Sequence, residues 1–113
     1  MEKRKITREA VQHYANVSKD KASIHIQEIE DNKSSTKKAI AHGAYIMGLA
    51  QSLYSMKHTG QWAKSCMMTF HNPVYVDSNV WFDFVEKKDC IEIFVSGEDS
   101  ELLAKGVLDV AEL

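Results

Sequence analysis

The chain has 113 residues, enough for one domain with a small core and too few for two. A net charge of -2 leaves no basic footprint of the kind that binds nucleic acid. Met1-Glu2-Lys3-Arg4-Lys5 is basic, but no apolar run follows it, so it does not read as an export signal. Cys66 and Cys90 lack a CxxC spacing and are expected as reduced thiols in a cytoplasmic protein.

Residues 6–17 predict a first helix. Thr7 is placed to cap it, Ala10, Val11, Tyr14 and Ala15 form one apolar stripe, and His13 faces solvent. Residues 18–23 are a polar break, and Ile24-His25-Ile26 reads as a short extended piece. Asp20 and His25 stand five residues apart across that break. A chain folding back there brings the two side chains together, although spacing alone fits a solvated loop Asp and an unrelated His more simply. Residues 27–39 form the most polar stretch and turn from acidic (Glu28, Glu30, Asp31) to basic (Lys37, Lys38), as a surface connection with room for a helical turn does.

Residues 40–57 are the only long run with almost no charge. Between Gly43 and Met56 the strongly polar positions are Gln51, Ser52 and Ser55, which share one face at helical spacing. The pattern predicts a helix from Gly43 to Lys57, about 22 Å long at roughly 1.5 Å per residue and buried nearly all round. It is too short to span a bilayer, and no membrane partner is expected. Its start, His42-Gly43, presents free backbone N–H groups and the positive end of the helix dipole. Met47, Met56, Met67 and Met68 read as core fillers.

His58-Thr59-Gly60 ends that helix, and from there the period changes. Trp62 to Phe70 is an apolar strand, broken at His71-Asn72-Pro73. Val74-Tyr75-Val76 is a short extended piece, and Asp77-Ser78-Asn79 is turn chemistry. Strands follow at Val80–Val85, Cys90–Val95 and Glu101–Val110. In the last, Leu102, Ala104, Gly106, Leu108 and Val110 are expected on one face, with Glu101, Lys105 and Asp109 on the other. Antiparallel strands after one long apolar helix argue for an α+β class, with the sheet wrapped around that helix and residues 1–113 forming a single domain.

Together these residues resemble the MaoC-like family of hotdog-fold dehydratases, and within it the (R)-specific enoyl-CoA hydratases. The resemblance runs from Ile6 to Val110 and rests on three features in order. Asp20 and His25 have the spacing of that family's catalytic pair. His42-Gly43 follows seventeen residues after His25 and opens the long helix. Phe70-His71-Asn72-Pro73-Val74-Tyr75-Val76 matches the break before the last strands. The chain departs from the family at Ala22-Ser23, where Asn-Pro is usual, at Asp77-Ser78, where Gly-Asp is usual, and at Gln51, where the helix usually carries a hydroxyl.

The resemblance implies a hotdog fold and a lyase of fatty acid metabolism that adds water reversibly to a trans-2-enoyl thioester. Asp20 would activate the water, His25 would orient it, and the backbone N–H of Gly43 would form the oxyanion hole. His42, Tyr45, Ile46, Leu49 and Gln51 would shape the substrate site, although His42 by itself reads more simply as a helix-cap or core histidine bonded to backbone. The thioester would be carried by coenzyme A or acyl carrier protein, and no cofactor would be needed. Edge strands left unpaired in one copy imply a homodimer. His25, His42, His71, Cys66 and Cys90 have no ligand spacing, so no metal is expected. Two other readings stand beside this one: a hotdog acyl-CoA thioesterase, disfavoured because no Asp or Glu lies between Gly43 and Lys57, and a non-catalytic acyl-thioester-binding or assembly subunit.

Overall fold

The computed structural model describes residues 1–18, 29–30, 37–38 and 41–112. In chain order these form β1 (Glu2–Lys5), α1 (Arg8–Ser18), β2 (Ile29–Glu30), β3 (Lys37–Lys38), α2 (Gly43–Lys57), β4 (Gln61–Phe70), β5 (Asn79–Glu86), β6 (Ile91–Ser96) and β7 (Leu102–Glu112). Among the described residues, five strands make one antiparallel sheet in the order β1-β5-β6-β7-β4, and β2 and β3 pair with each other. The expected α+β architecture, a helix packed against an antiparallel sheet, is what forms. The extended piece at residues 24–26 lies outside the described residues.

Alternation explains why one sheet face becomes core. Val80 and Phe82 of β5, Ile91, Ile93 and Val95 of β6, and Ala104 and Leu108 of β7 are all buried. Ile46, Ala50, Leu53 and Tyr54 of α2 join them in a single cluster with Ile6, Val11, Val74 and Val76. Each large side chain so buried contributes roughly 1.5–3 kcal/mol. Gly106 belongs here for a steric reason. A Cβ at this position would lie 2.7 Å from the Met67 carbonyl oxygen, so only glycine lets β4 approach this closely.

Four expectations need correction. First, α2 is not buried all round: Ala44, Gly48, Ser52, Ser55 and Met56 are exposed. Small and hydroxylated side chains carry little charge, so this second face looks like core in the sequence. Second, β1 was not anticipated, because Glu2-Lys3-Arg4-Lys5 has no apolar alternation. It is held by pairing with residues 79–82 of β5, and Ile6 then donates its N–H to the Ser78 carbonyl at 2.9 Å. Third, the register shifts between Val95 and Ser96 against β7, so Ala104 faces Val95 and Leu102 faces Ser96. The bulge turns Leu103 into the core and leaves Leu102 exposed. Fourth, Met56 and Met67 are not core fillers. They are 68% and 75% exposed, Met67 because it points outward from an edge strand.

The N-cap of α1 is the expected one. Thr7 Oγ1 accepts the Ala10 N–H at 3.1 Å and starts α1. Asp77 sits at φ 68°, a left-handed conformation that Asp tolerates and that a glycine would adopt freely. At the far end of α2, Tyr54 donates to Gln61 Oε1 at 2.9 Å, and Gln61 donates to Glu112 Oε1 at 3.0 Å. His58 stacks on Tyr54 with ring centroids 4.0 Å apart. Its Nδ1 lies 2.9 Å from the Tyr54 carbonyl oxygen, so that nitrogen carries the proton.

Burial, then the Glu86 and Glu112 carboxylates, push the Tyr54 phenol above its usual value. A raised folded-state value makes this contribution to stability fully present below about pH 10 and lost as pH rises further. Tyr54→Phe is therefore expected to lower stability near neutral pH by about 0.5–1.5 kcal/mol through the lost hydrogen bond. The same variant should lose less additional stability than wild type above about pH 10. Urea melts of both proteins across that range check the two effects.

Candidate active site

α2 starts at Gly43, with His42 as its N-cap in an extended conformation (φ -63°, ψ 137°) that makes no side-chain capping bond. The Ile46 N–H is bonded to the His42 carbonyl at 3.2 Å. The N–H groups of Gly43, Ala44 and Tyr45 precede it and have no acceptor within the helix. They carry the positive end of the helix dipole, which suits an oxygen gathering negative charge.

The chain leaving β4 builds the other side. The His71 and Asn72 N–H groups both donate to the Leu103 carbonyl, at 2.8 and 3.3 Å, and Asn72 Nδ2 donates to the Leu102 carbonyl at 2.7 Å. Two residues on, the Val74 carbonyl accepts the Ala41 N–H at 2.7 Å. These bonds fix residues 70–74 between β7 and the start of α2. A groove of about 420 Å³ results, lined by Ala41, Gly43, Phe70, His71, Asn72, Pro73 and Val74. The Phe70 ring closes one side: a Cβ on Gly43 would stand 3.0 Å from Phe70 Cε2 and 3.3 Å from Cζ. A second concavity, of about 480 Å³, lies beyond Asn72 and Pro73 and is lined by Glu98, Asp99 and Glu101. Its carboxylates serve its own loops: Glu98 accepts the Asn79 N–H at 2.9 Å and Glu101 the Asp99 N–H at 3.3 Å.

Of the residues singled out in the sequence, the structure gathers His42, Gly43 and Tyr45 at the first turn of α2. His42 is 3% exposed, and its ring centroid is 4.9 Å from that of Tyr14. Tyr14 also meets Tyr45 edge-on at 5.9 Å. Burial raises the Tyr45 phenol above its usual value. Leu49 is half-buried against the core, Gln51 is half-buried farther along the helix, and Ile46 faces the sheet at 0% exposure. Asp20 and His25 lie outside the described residues.

Two neighbours of the site were not singled out for it in the sequence. Tyr14 showed only as part of an apolar stripe. Phe70 showed only as the last apolar residue before a break, although a glycine opening a helix is a sign that something packs close. Among the described residues no group of three His, Cys, Asp or Glu side chains could hold a metal ion. No described helix is long and apolar enough to cross a membrane.

The contact between Gly43 and Phe70 can be measured as a coupling. Alanine is favoured over glycine in a helix by about 1 kcal/mol. That gain is expected to appear for Gly43→Ala in a Phe70→Ala background and to be offset where the ring remains. Chemical denaturation of the two single variants and the double variant should give an unfavourable coupling of about 0.5–3 kcal/mol.

Comparison with known proteins gives the geometry a family. Residues 1–102 match the sequence model described as "MaoC like domain". No curated protein matches the chain. Among solved structures, the (R)-hydratase from A. caviae involved in PHA biosynthesis superposes with a TM-score of 0.81 at 16% identity, over 99% of this chain and 92% of that one. The R-hydratase PhaJ1 from Pseudomonas aeruginosa gives 0.79 at 17% identity, over 98% and 77%. The HadBC (3R-hydroxyacyl-ACP dehydratase) complex from Mycobacterium tuberculosis gives 0.79 at 14% identity, over 97% and 90%. At such identities the superpositions establish the fold, and the sequence match over residues 1–102 establishes the family. The chain belongs to the MaoC-like dehydratase family and has its hotdog fold.

Proposed function

We propose that this protein is a lyase that adds water reversibly to a trans-2-enoyl thioester, giving a 3-hydroxyacyl thioester of (R) configuration. The observation that carries the reading is the first turn of α2, where Gly43 offers an amide without an intrahelical acceptor beside an open groove, in a chain of this family. The likeness to the A. caviae and P. aeruginosa (R)-hydratases and to the M. tuberculosis 3R-hydroxyacyl-ACP dehydratase supports the direction of the chemistry and its stereochemistry.

In the proposed reaction the thioester oxygen accepts the Gly43 N–H. Negative charge moves onto that oxygen as water attacks C3, and a preorganised donor at such a position is typically worth about 10²–10³ in rate. Asp20 takes a proton from the water, and His25 orients it. The hydroxyl ends on C3, and the proton taken from the water is delivered with the help of His25 to C2, so the addition balances without cofactor or metal. The acyl chain runs along α2 past Tyr45, Leu49 and Gln51, with Ile46 behind them and His42 bracing the turn. Coenzyme A or acyl carrier protein serves as the carrier.

The same reading includes a homodimer paired through β4. The two sheet edges are unlike. β1 has four residues and carries Lys3, Arg4 and Lys5, which discourage pairing. β4 has ten residues with one charge, Lys64, and exposes Trp62, Met67 and Phe70. Light scattering is expected to give twice the 12.8 kDa chain mass. Met67→Lys should weaken association by about tenfold or more, and a monodisperse monomer in wild type would remove this element.

Purified protein is expected to hydrate crotonyl-CoA, followed as loss of the enoyl absorbance. Asp20→Asn and His25→Ala should each lose about 10²–10⁴ of the rate. Wild type no faster than these variants would end the lyase reading. Binding of acyl-CoA without turnover would leave a non-catalytic acyl-thioester-binding subunit in its place.

A further inference from the structure

We infer that Tyr14 is a positioning residue for the first turn of α2: its ring stands in for a side-chain N-cap bond and so holds the Gly43 amide in place. The inference rests on the proposal that Gly43 receives a thioester oxygen. Three observations carry it.

The first is how the turn begins. A helix start is commonly fixed by an N-cap side chain that accepts the N–H of the second or third helical residue. His42 occupies the N-cap of α2 and makes no such bond. The residues that a capping bond can link here include His42 and Tyr45, the N-cap and the third helical residue. Tyr14 meets both, with ring centroids 4.9 Å from His42 and 5.9 Å from Tyr45. Gly43 lies between them in the chain, so one ring spans the turn that presents its N–H.

The second is that Tyr14 is carried by a helix the core already holds. Thr7 starts α1 by accepting the Ala10 N–H on its side chain and the Val11 N–H on its carbonyl, each at 3.1 Å. Val11 stands three residues before Tyr14, on the same helix face, and is 0% exposed within the core cluster. The ring therefore braces α2 from a fixed base.

The third is where the other supports act. The Ala41 N–H bond to Val74 precedes the turn, and Ile46, 0% exposed, anchors the helix after it. Tyr14 acts between these two anchors, on the side chains at both ends of the turn. An amide stabilises developing charge only when it is aimed at that charge from hydrogen-bond distance. A displacement of about 1 Å can cost about 10²-fold in rate, so a brace at this point matters to the chemistry.

Two readouts on Tyr14→Phe and Tyr14→Ala test the role. The first is crotonyl-CoA hydration: Tyr14→Ala should lower kcat about tenfold while KM changes less than about threefold, and Tyr14→Phe, which keeps the ring, should stay within about twofold of wild type. The second needs no turnover. Butyryl-CoA labelled at its carbonyl carbon should show a lowered carbonyl stretch by infrared difference spectroscopy when bound to wild type and to Tyr14→Phe, and should lose about half of that shift or more on Tyr14→Ala. If Tyr14→Ala does not fold, as judged by circular dichroism, Tyr14→Leu, which keeps apolar volume without a ring, decides by the same readouts. An unchanged shift in the ring-less variant overturns the inference, and so does the absence of any shift in wild type. Equal losses in Tyr14→Phe and Tyr14→Ala also overturn it, since the effect would then follow the hydroxyl. A shift that responds to Tyr14→Ala in a protein that does not hydrate crotonyl-CoA removes the lyase reading and leaves the positioning role standing, so the two failures are distinct.

Discussion

The bond from the Ala41 N–H to the Val74 carbonyl is the tie on which the site depends. It joins the residue pair before α2 to the segment leaving the edge strand, two parts of the chain that have no local reason to meet. The Leu103 carbonyl completes the arrangement from the other side by accepting two amides. The His71 bond continues the β4–β7 register, in which Phe70 pairs with Ala104.

The two helices meet the same region through aromatic contacts rather than charge. Tyr14 brings α1 against His42 and Tyr45, and Phe70 brings β4 against Gly43. Rings of this kind supply large buried area with few rotatable bonds, so they hold geometry at low entropic cost. The first-turn amides of α2 are then presented by a turn packed against rings from α1 and β4.

The parts of the fold legible in the sequence are those with a strong local signal. α2 begins and ends where the sequence places it, because Gly43 opens an uncharged run and His58-Thr59-Gly60 closes it. The strands β5, β6 and β7 follow from alternation. β1 was not legible, since its partner lies far away and its four residues carry no pattern of their own. Leu102 was expected on the wrong face for a related reason: a bulge is a property of a pair of strands, and one strand cannot announce it. At the site, His42-Gly43 was legible as a helix start, whereas the Phe70 contact depends on two segments meeting in space. The proposed roles of Asp20 and His25 came through family resemblance, because a spacing of five residues in a polar stretch fixes no geometry by itself.

β1 also constrains the order in which the molecule can be assembled. Glu2 pairs with Phe82 and Lys5 with Asn79, so these contacts close a loop of most of the chain. The β5–β6 and β6–β7 pairs, by contrast, join neighbours across short turns. Loop-closure entropy favours the short turns first, and the long closure is rewarded only once β5 is in place to receive it. During synthesis residues 2–5 must wait until residues 79–82 have been made, with three cationic side chains keeping them solvated meanwhile. Of the pairings in the five-stranded sheet, that of β1 closes the longest loop.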